Sequence, residues 1–412
     1  MHLAVARRAT RGRACLLLGL ALAGCAGGSE QGFEPQITPE LATPSLAHTP
    51  ASPATGANPP VAPSPVGEGA APPASTSGAA PSAWDAAFVQ RQGPALTVAG
   101  KPFRFIGVNH YQLAAGPLAG SCSESTNPVQ YAAAVEQVAA QAEQMGATVI
   151  RFWAFQNIAG PTGQDFSALD LVVAAAHTHH LKLIPTLENE WKDCTQPAVE
   201  KSATWYDATY QQLGGYPLSF PDYVRAIVGH LAHEPAIAMW QIANEAESSD
   251  PAGLRRYAST IAGLIKSVDH QHLVNLGTIG CGQAGVTGSD YAALYADPSI
   301  DVVEAHDYNS PTLPMPDCIA ADIAVAKSLQ KPFFIGEAGI DVRTGIQPAA
   351  RASMLAAKLQ AAAGQQIAGY LLWAFNPGPN VGSPGYDFSI SDPLAAVVSR
   401  FSQAHGSAGF AP

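Results

Sequence analysis

Downstream of Trp84 the chain alternates short apolar runs with longer segments whose apolar positions recur every three or four residues. The runs are 103–108, 148–152, 182–187, 237–242, 273–279, 302–305, 333–335 and 369–372. Most are nearly continuous in apolar character, the pattern of strands covered on both faces. Between them lie YAAAVEQVAAQAEQMG at 131–146, LDLVVAAAHTHH at 169–180 and AARASMLAAKLQAAA at 349–363, which repeat with the period of a helix. Eight strands, each followed by a helix or a long loop, predict a single (β/α)8 TIM barrel over residues 83–412. An open doubly wound sheet would carry a glycine-rich phosphate turn after its first strand, where GVNHYQ stands instead.

The pattern is absent upstream. Residues 1–24 set Arg7, Arg8, Arg11 and Arg13 ahead of a short apolar run, the layout of a cleaved secretory signal that is too short to span a bilayer. Leu22-Ala23-Gly24-Cys25 resembles the lipobox of bacterial lipoproteins, which implies lipid on Cys25 at the mature N-terminus. From 25 to 82 the chain is Pro, Ala, Ser, Thr and Gly with almost no large apolar side chain. Such a stretch cannot bury enough surface to offset the entropy of ordering and is expected to be an extended tether.

Charge and cysteine narrow the function. Removing residues 1–24 leaves 17 basic against 32 acidic side chains, a formal balance of −15. That argues against nucleic acid or an anionic membrane surface as partner, so the expected membrane link is through the N-terminal lipid alone. Cys122, Cys194, Cys281 and Cys318 are an even set in a compartment that permits disulfides. Of the three possible connectivities, Cys122–Cys194 with Cys281–Cys318 is favoured. The spacing of these cysteines does not suggest a zinc site, and no metal or organic cofactor is called for. A monomer is the expectation.

In a parallel barrel the chemistry gathers where the strands end. Reading along those ends gives Asn109-His110, Arg151-Phe152-Trp153, Glu188-Asn189-Glu190-Trp191, Asn244-Glu245, His306-Asp307-Tyr308, Gly336-Glu337 and Trp373. Two carboxylates on separate strands, surrounded by Arg, His, Tyr and Trp, suit glycosidic cleavage for a physical reason. The sugar oxygen leaves poorly unless protonated, and the oxocarbenium ion that develops at C1 needs a carboxylate beside it. Two acids held close together disfavour double ionisation, so one can stay protonated while the other is charged. Aromatic faces stack on sugar C–H surfaces without competing for protons.

IANEAES and FFIGEAG, in this order and spacing, resemble glycoside hydrolase family 5 of the four/seven barrel superfamily, in which Asn-Glu ends the fourth strand and Glu ends the seventh. The resemblance implies that Glu245 is the general acid/base and Glu337 the nucleophile of a retaining double displacement. It further implies that Asn244 holds the sugar 2-hydroxyl, that Arg151 orients the nucleophile, that His306 and Tyr308 bond the carboxylates and substrate, and that Trp373 floors the cleaved-sugar site. Asn109, Asn189 and Trp191 complete the expected substrate-binding set. The ENEW turn resembles the β-mannanase branch, which favours β-1,4-mannan over β-glucan among polysaccharide and oligosaccharide substrates. The rival readings are a non-catalytic carbohydrate-binding lipoprotein and an exo-acting glycosidase on short glycosides or glycolipids. Trp240 is expected in the core, Trp153 and Trp205 either in a groove or in the core, and His177, His179 and His180 at a helix C-terminus.

Overall fold

The computed structural model describes residues 82–119, 122–123, 125–308, 315–378 and 383–405. The expected signal, Cys25 and the tether up to residue 81 lie outside them. Eight parallel strands form the centre: β4 (Phe105–Asn109), β5 (Val149–Trp153), β6 (Lys182–Thr186), β7 (Met239–Gln241), β8 (Leu273–Asn275), β9 (Val303–Tyr308), β10 (Phe333–Gly339) and β11 (Gly369–Leu372). Their order is β8-β7-β6-β5-β4-β11-β10-β9, and a parallel bridge from Asn275 to Val302 joins the two ends into a barrel. Every residue of β4, β5 and β6 is buried, which is why these strands read as apolar runs rather than alternating ones.

Three of the longer helices start at a side-chain cap. Asn127 accepts from the Val129 and Gln130 N–H groups at the head of Pro128–Gln144, Ser219 from Asp222 at Phe220–Leu231, and Asp250 from Ala252 at Pro251–Val268. Each of these helices carries a proline in its first turn, where the missing N–H costs nothing.

The first apolar run divides between two sheets. Phe103 ends β3 (Lys101–Phe103), which pairs antiparallel with β2 (Ala95–Val98), itself paired with β1 (Val89–Gln92). Val89, Leu96, Val98 and Phe103 from this small sheet, with Trp84 ahead of it, pack with Phe105, Val149, Ile184, Met239 and Phe334 of the barrel. Gly369 admits the Phe105 ring, which any Cβ there would overlap. Lys182, at the start of β6, donates to the carbonyls of Trp84, Ala87 and Pro235, and burial pushes its ammonium down to about 8.

At the other end the strands outrun their apolar stretches. Strand β9 continues through His306 and Asp307 to Tyr308, and β10 through Glu337 to Gly339. These polar residues still pair in the ladder because their side chains find partners, those of His306, Tyr308 and Glu337 inside the barrel mouth. Asp307 faces the other way, to the helix Pro348–Gly364, where it is buried and meets Lys358 Nζ at 2.8 Å. Strand β8 stops at Asn275, short of the expected 279, and Gly277 beyond it turns with φ +89° against the Ala243 carbonyl. The disulfides are Cys122–Cys194 and Cys281–Cys318, with Cα separations of 5.4 and 4.9 Å.

Candidate active site

Glu245 lies four residues past the end of β7, on a backbone that few L-residues adopt. Its φ is +53°, in the left-handed region, which for a non-glycine residue is held only when the surroundings impose it. They do so through three hydrogen bonds. The Asn244 N–H donates to the Glu188 carbonyl at 2.7 Å, the Ala246 N–H to the Gly277 carbonyl at 3.0 Å, and Gln283 Nε2 to the Glu245 carbonyl at 2.7 Å. The carboxylate is thereby aimed into the barrel mouth.

Glu337 is aimed by a different device. The register between β9 and β10 shifts at Gly336, so that Ile335 pairs with Ala305 but Glu337 with His306. One extra residue on β10 bends the strand and turns the side chains beyond the bulge. Arg151 Nη1 then meets Glu337 Oε1 at 2.6 Å, and the Tyr308 hydroxyl donates to Oε2 at 2.6 Å. One oxygen of Glu245, one of Glu337 and a ring nitrogen of His306 lie within 4.8 Å of one another.

Arg151 is wholly buried and its guanidinium is committed on every side. Nε donates to Gln241 Oε1 at 2.7 Å, Nη1 also to Asn109 Oδ1 at 2.8 Å, and Nη2 to Asn244 Oδ1 at 2.7 Å. Its fork therefore fixes Asn244, which passes a hydrogen bond from Nδ2 to Asn189 Oδ1 at 3.0 Å. The guanidinium carbon also lies 4.7 Å from the centre of the Trp153 ring.

This crowding sets the electrostatics. Burial opposes protonation of His306, but Glu337, Glu245 and Glu304 around it push the imidazole up to about 10. Burial raises the proton affinity of Glu337, with His306 and Arg151 pulling the other way. At Glu245 burial also favours the neutral form, yet the hydrogen bonds from His306 and Trp191 prevail and hold it low. Both shifts, of His306 up and of Glu245 down, draw the shared proton towards His306, whose Nδ1 is 2.7 Å from Glu245 Oε1.

Two acids at the barrel mouth are thus held by an arginine on one and an imidazolium on the other. The family model Cellulase (glycosyl hydrolase family 5) matches residues 98–378. The chain belongs to glycosyl hydrolase family 5. It is 27% identical over 312 residues to mannan endo-1,4-beta-mannosidase 8 of Oryza sativa subsp. japonica, covering 63% of this chain and 81% of that protein. With mannan endo-1,4-beta-mannosidase A of Hypocrea jecorina it shares 28% identity over 238 residues, 51% of this chain and half, 50%, of that protein. Among solved structures, the endo-1,4-beta-mannanase from Rhizomucor miehei superposes with a TM-score of 0.62 at 22% identity, over 77% of this chain and 99% of that one. The endo-beta-1,4-mannanase from Thermotoga petrophila gives 0.59 at 21%, over 76% and 79%. Both likenesses carry the barrel fold.

Within this family 5 domain the expected residues separate into two groups. Glu245, Glu337, His306, Tyr308, Asn244 and Trp191 converge, Trp191 through a hydrogen bond from its indole N–H to Glu245 Oε2. Arg151, expected to orient the nucleophile, reaches Glu337 Oε1, whereas Asn109 and Asn189 are spent inside the protein. Asn109 is fully buried between Arg151 and the Gly336 carbonyl, and Asn189 between Asn244 and the Asp193 carbonyl, so both act as brackets rather than sugar contacts. Trp373 is largely buried, donates to Ser383 Oγ at 3.0 Å and stacks at 11° on Tyr111, an aromatic not among the expected contacts. Trp240 is in the core, its N–H on Asp269 Oδ2, and Trp205 packs among Tyr206, Tyr210, Phe220 and Tyr257.

The three histidines near 179 stand where expected, at the C-terminal end of the helix Ser167–Thr178. They pair with carboxylates of neighbouring segments: His177 with Glu234 at 2.7 Å, His179 with Glu136 and Glu143 at 2.8 Å, and His180 with Asp85 at 3.0 Å. Packed elements supply better partners than exposed helix carbonyls.

Proposed function

We propose that this protein is a retaining endo-β-1,4-glycosidase with β-mannan as its favoured substrate, in which Glu337 is the nucleophile and Glu245 the general acid/base. The observation that carries the reading is the approach of two buried carboxylates to within 4.8 Å at the mouth of a family 5 barrel. Retaining enzymes hold their carboxyl groups about 5–5.5 Å apart, whereas inverting enzymes need roughly 6.5–9.5 Å to admit a water.

The partners define the roles. Glu337 receives a guanidinium N–H on one oxygen and a phenol O–H on the other, both of which stabilise its anion beside the anomeric carbon. Glu245 faces His306 Nδ1, so one transfer along a 2.7 Å hydrogen bond loads it with the proton a leaving oxygen needs. Attack by Glu337 on C1 breaks the glycosidic bond as Glu245 protonates the departing oxygen. Glu245, now ionised, then takes a proton from water, whose oxygen displaces Glu337 and restores the starting configuration.

Mannan is supported by the names of the relatives, mannan endo-1,4-beta-mannosidases, and by the ENEW turn. Residues 1–24 are proposed as a signal and Cys25 as the lipidated end of a tether that presents domain 83–412 outside the cell, in keeping with two disulfides. Mass measurement of the mature N-terminus tests the anchor.

The activity test compares the native chain with Glu337→Ala and Glu245→Ala on mannan, glucan and aryl glycosides. Glu337→Ala should release no sugar. Glu245→Ala should lose about 10²- to 10⁴-fold on mannan, and far less in the bond-breaking step with an aryl leaving group that departs without protonation. Products should appear first as the β-anomer. Equal release by Glu337→Ala and native protein would remove the assigned nucleophile, and binding without release by both would favour a carbohydrate-binding role.

A further inference from the structure

Behind His306, on the side away from Glu245, lies a third carboxylate. Glu304 and His306 are two apart on β9 and so point to the same side of the strand, into the barrel. Glu304 is fully buried. Its Oε1 is 3.2 Å from His306 Nε2, and its Oε2 accepts from Gln241 Nε2 at 2.6 Å. The orientation of Gln241 is fixed in turn, because its Oε1 accepts from both Arg151 Nε and Thr186 Oγ1 at 2.7 Å. The bonds close a circuit from Glu337 through Arg151, Gln241, Glu304 and His306 to Glu245.

Building on the proposed catalytic reading, we infer that Glu304 is a positioning residue that holds the Nε2 proton of His306, leaving Nδ1 as the ring atom that trades the catalytic proton with Glu245. The placement of the carboxylates supports it. The titratable groups facing His306 are Glu304 and Tyr308 on its own strand, Glu245 beyond β7 and Glu337 on β10; Arg151 on β5 joins them through Glu337 and Gln241. Tyr291 and Tyr295 lie near Glu304 as neutral phenols, their proton affinities raised first by burial. Glu304 Oε1 faces Nε2 and Glu245 Oε1 faces Nδ1, so a proton on Nε2 is pinned by Glu304 while a second moves between Nδ1 and Glu245 Oε1. When the proton moves to Glu245, His306 becomes the neutral Nε2–H tautomer, still bonded to Glu304, and no other group changes charge.

The test has two readouts. In native protein labelled with ¹⁵N-histidine, His306 at pH 7 without substrate should show a protonated Nε2, with Nδ1 either protonated or an acceptor. A neutral ring carrying its proton on Nδ1 alone would overturn the inference. This readout does not depend on activity, so it stands apart from failure of the glycosidase reading. In Glu304→Gln the neutral amide keeps the contact without the charge. The alkaline limb of kcat/KM should move down by at least about one pH unit, with kcat at neutral pH falling more than 10-fold and KM little changed. A profile superimposable on the native one, in a variant that keeps its melting temperature, would reduce Glu304 to a structural residue.

Discussion

Gly336 leaves the space that Glu304 fills: a Cβ on the glycine would overlap Glu304 Oε1 outright. The same glycine is the extra residue of the β10 bulge that redirects Glu337. Gly336→Ala must therefore displace a buried carboxylate or flatten the bulge. Overpacking of this kind costs about 1–3 kcal/mol, read as a lowered urea midpoint, and the aim of Glu337 should suffer with it, read as a fall in kcat. Combining it with Glu304→Ala should restore part of the stability, since residues in contact do not act additively. A single variant as stable as the native chain would mean that the two residues do not compete.

Arg151→Lys keeps the charge and loses the fork. The guanidinium serves the side chains of Gln241, Asn109, Glu337 and Asn244, arranged around one plane. An ammonium offers its donors from one point and cannot reach all four. Each buried acceptor left without a donor costs about 1–3 kcal/mol, so a fall in melting temperature is expected. Losing a fixed charge stabiliser beside the reacting carboxylate should lower kcat by about 10²- to 10³-fold, with a smaller change in KM. Steady-state kinetics on a soluble mannan measure both.

The barrel was legible because β4, β5 and β6 are buried on both faces and remain apolar apart from Asn109, Arg151, Lys182 and Thr186. Glu245 and Glu337 were legible because strand ends are where a parallel barrel exposes its side chains, and both acids break off apolar runs. What stayed hidden was the layer below. Gln241 and Glu304 sit within strands, inside AMWQIA and VVEAHD, and a polar residue in the middle of an apolar run is itself a signal that the barrel interior holds a polar network. Linear spacing cannot tell which partner such a residue meets, because Gln241 and Glu304 are brought together only by closure of the barrel. The small sheet of β1 to β3 was missed for another reason. Phe103 and Phe105 read as one run, although Arg104 between them marks the passage from one sheet to the next.

Glu190 ties pH to stability. The carboxyl is buried, accepts from the Tyr206 hydroxyl and lies 3.4 Å from the Glu247 N–H. Burial pushes it up to about 8, the two hydrogen bonds and Lys201 opposing and the Glu247 charge adding. From its ordinary value to about 8 the folded chain holds a proton that the unfolded chain has released, so stability falls as pH rises across that window. The slope from one such group is at most about 1.4 kcal/mol per pH unit. Gln is a near isostere of the protonated form and does not titrate. Urea midpoints of Glu190→Gln should match the native chain near pH 5 and exceed it increasingly towards pH 8; parallel curves would mean that Glu190 is ionised in the folded protein.

Trp191 and Glu304 act on the same proton from opposite ends, and their substitution should move the pH profile in opposite directions. The Trp191 indole N–H donates to Glu245 Oε2 and favours the ionised carboxylate. Phe at this position keeps an aromatic face for sugar and removes the donor. A hydrogen bond to a charged group contributes about 1.5–3 kcal/mol, which corresponds to a rise of about one to two units in the proton affinity of Glu245. The alkaline limb of kcat/KM marks loss of the acid's proton, so in Trp191→Phe it should move to higher pH, whereas Glu304→Gln should move it lower. Profiles of the two variants on one mannan substrate make the comparison. If Trp191→Phe raises KM and leaves the limb in place, the indole serves the sugar and not the carboxylate.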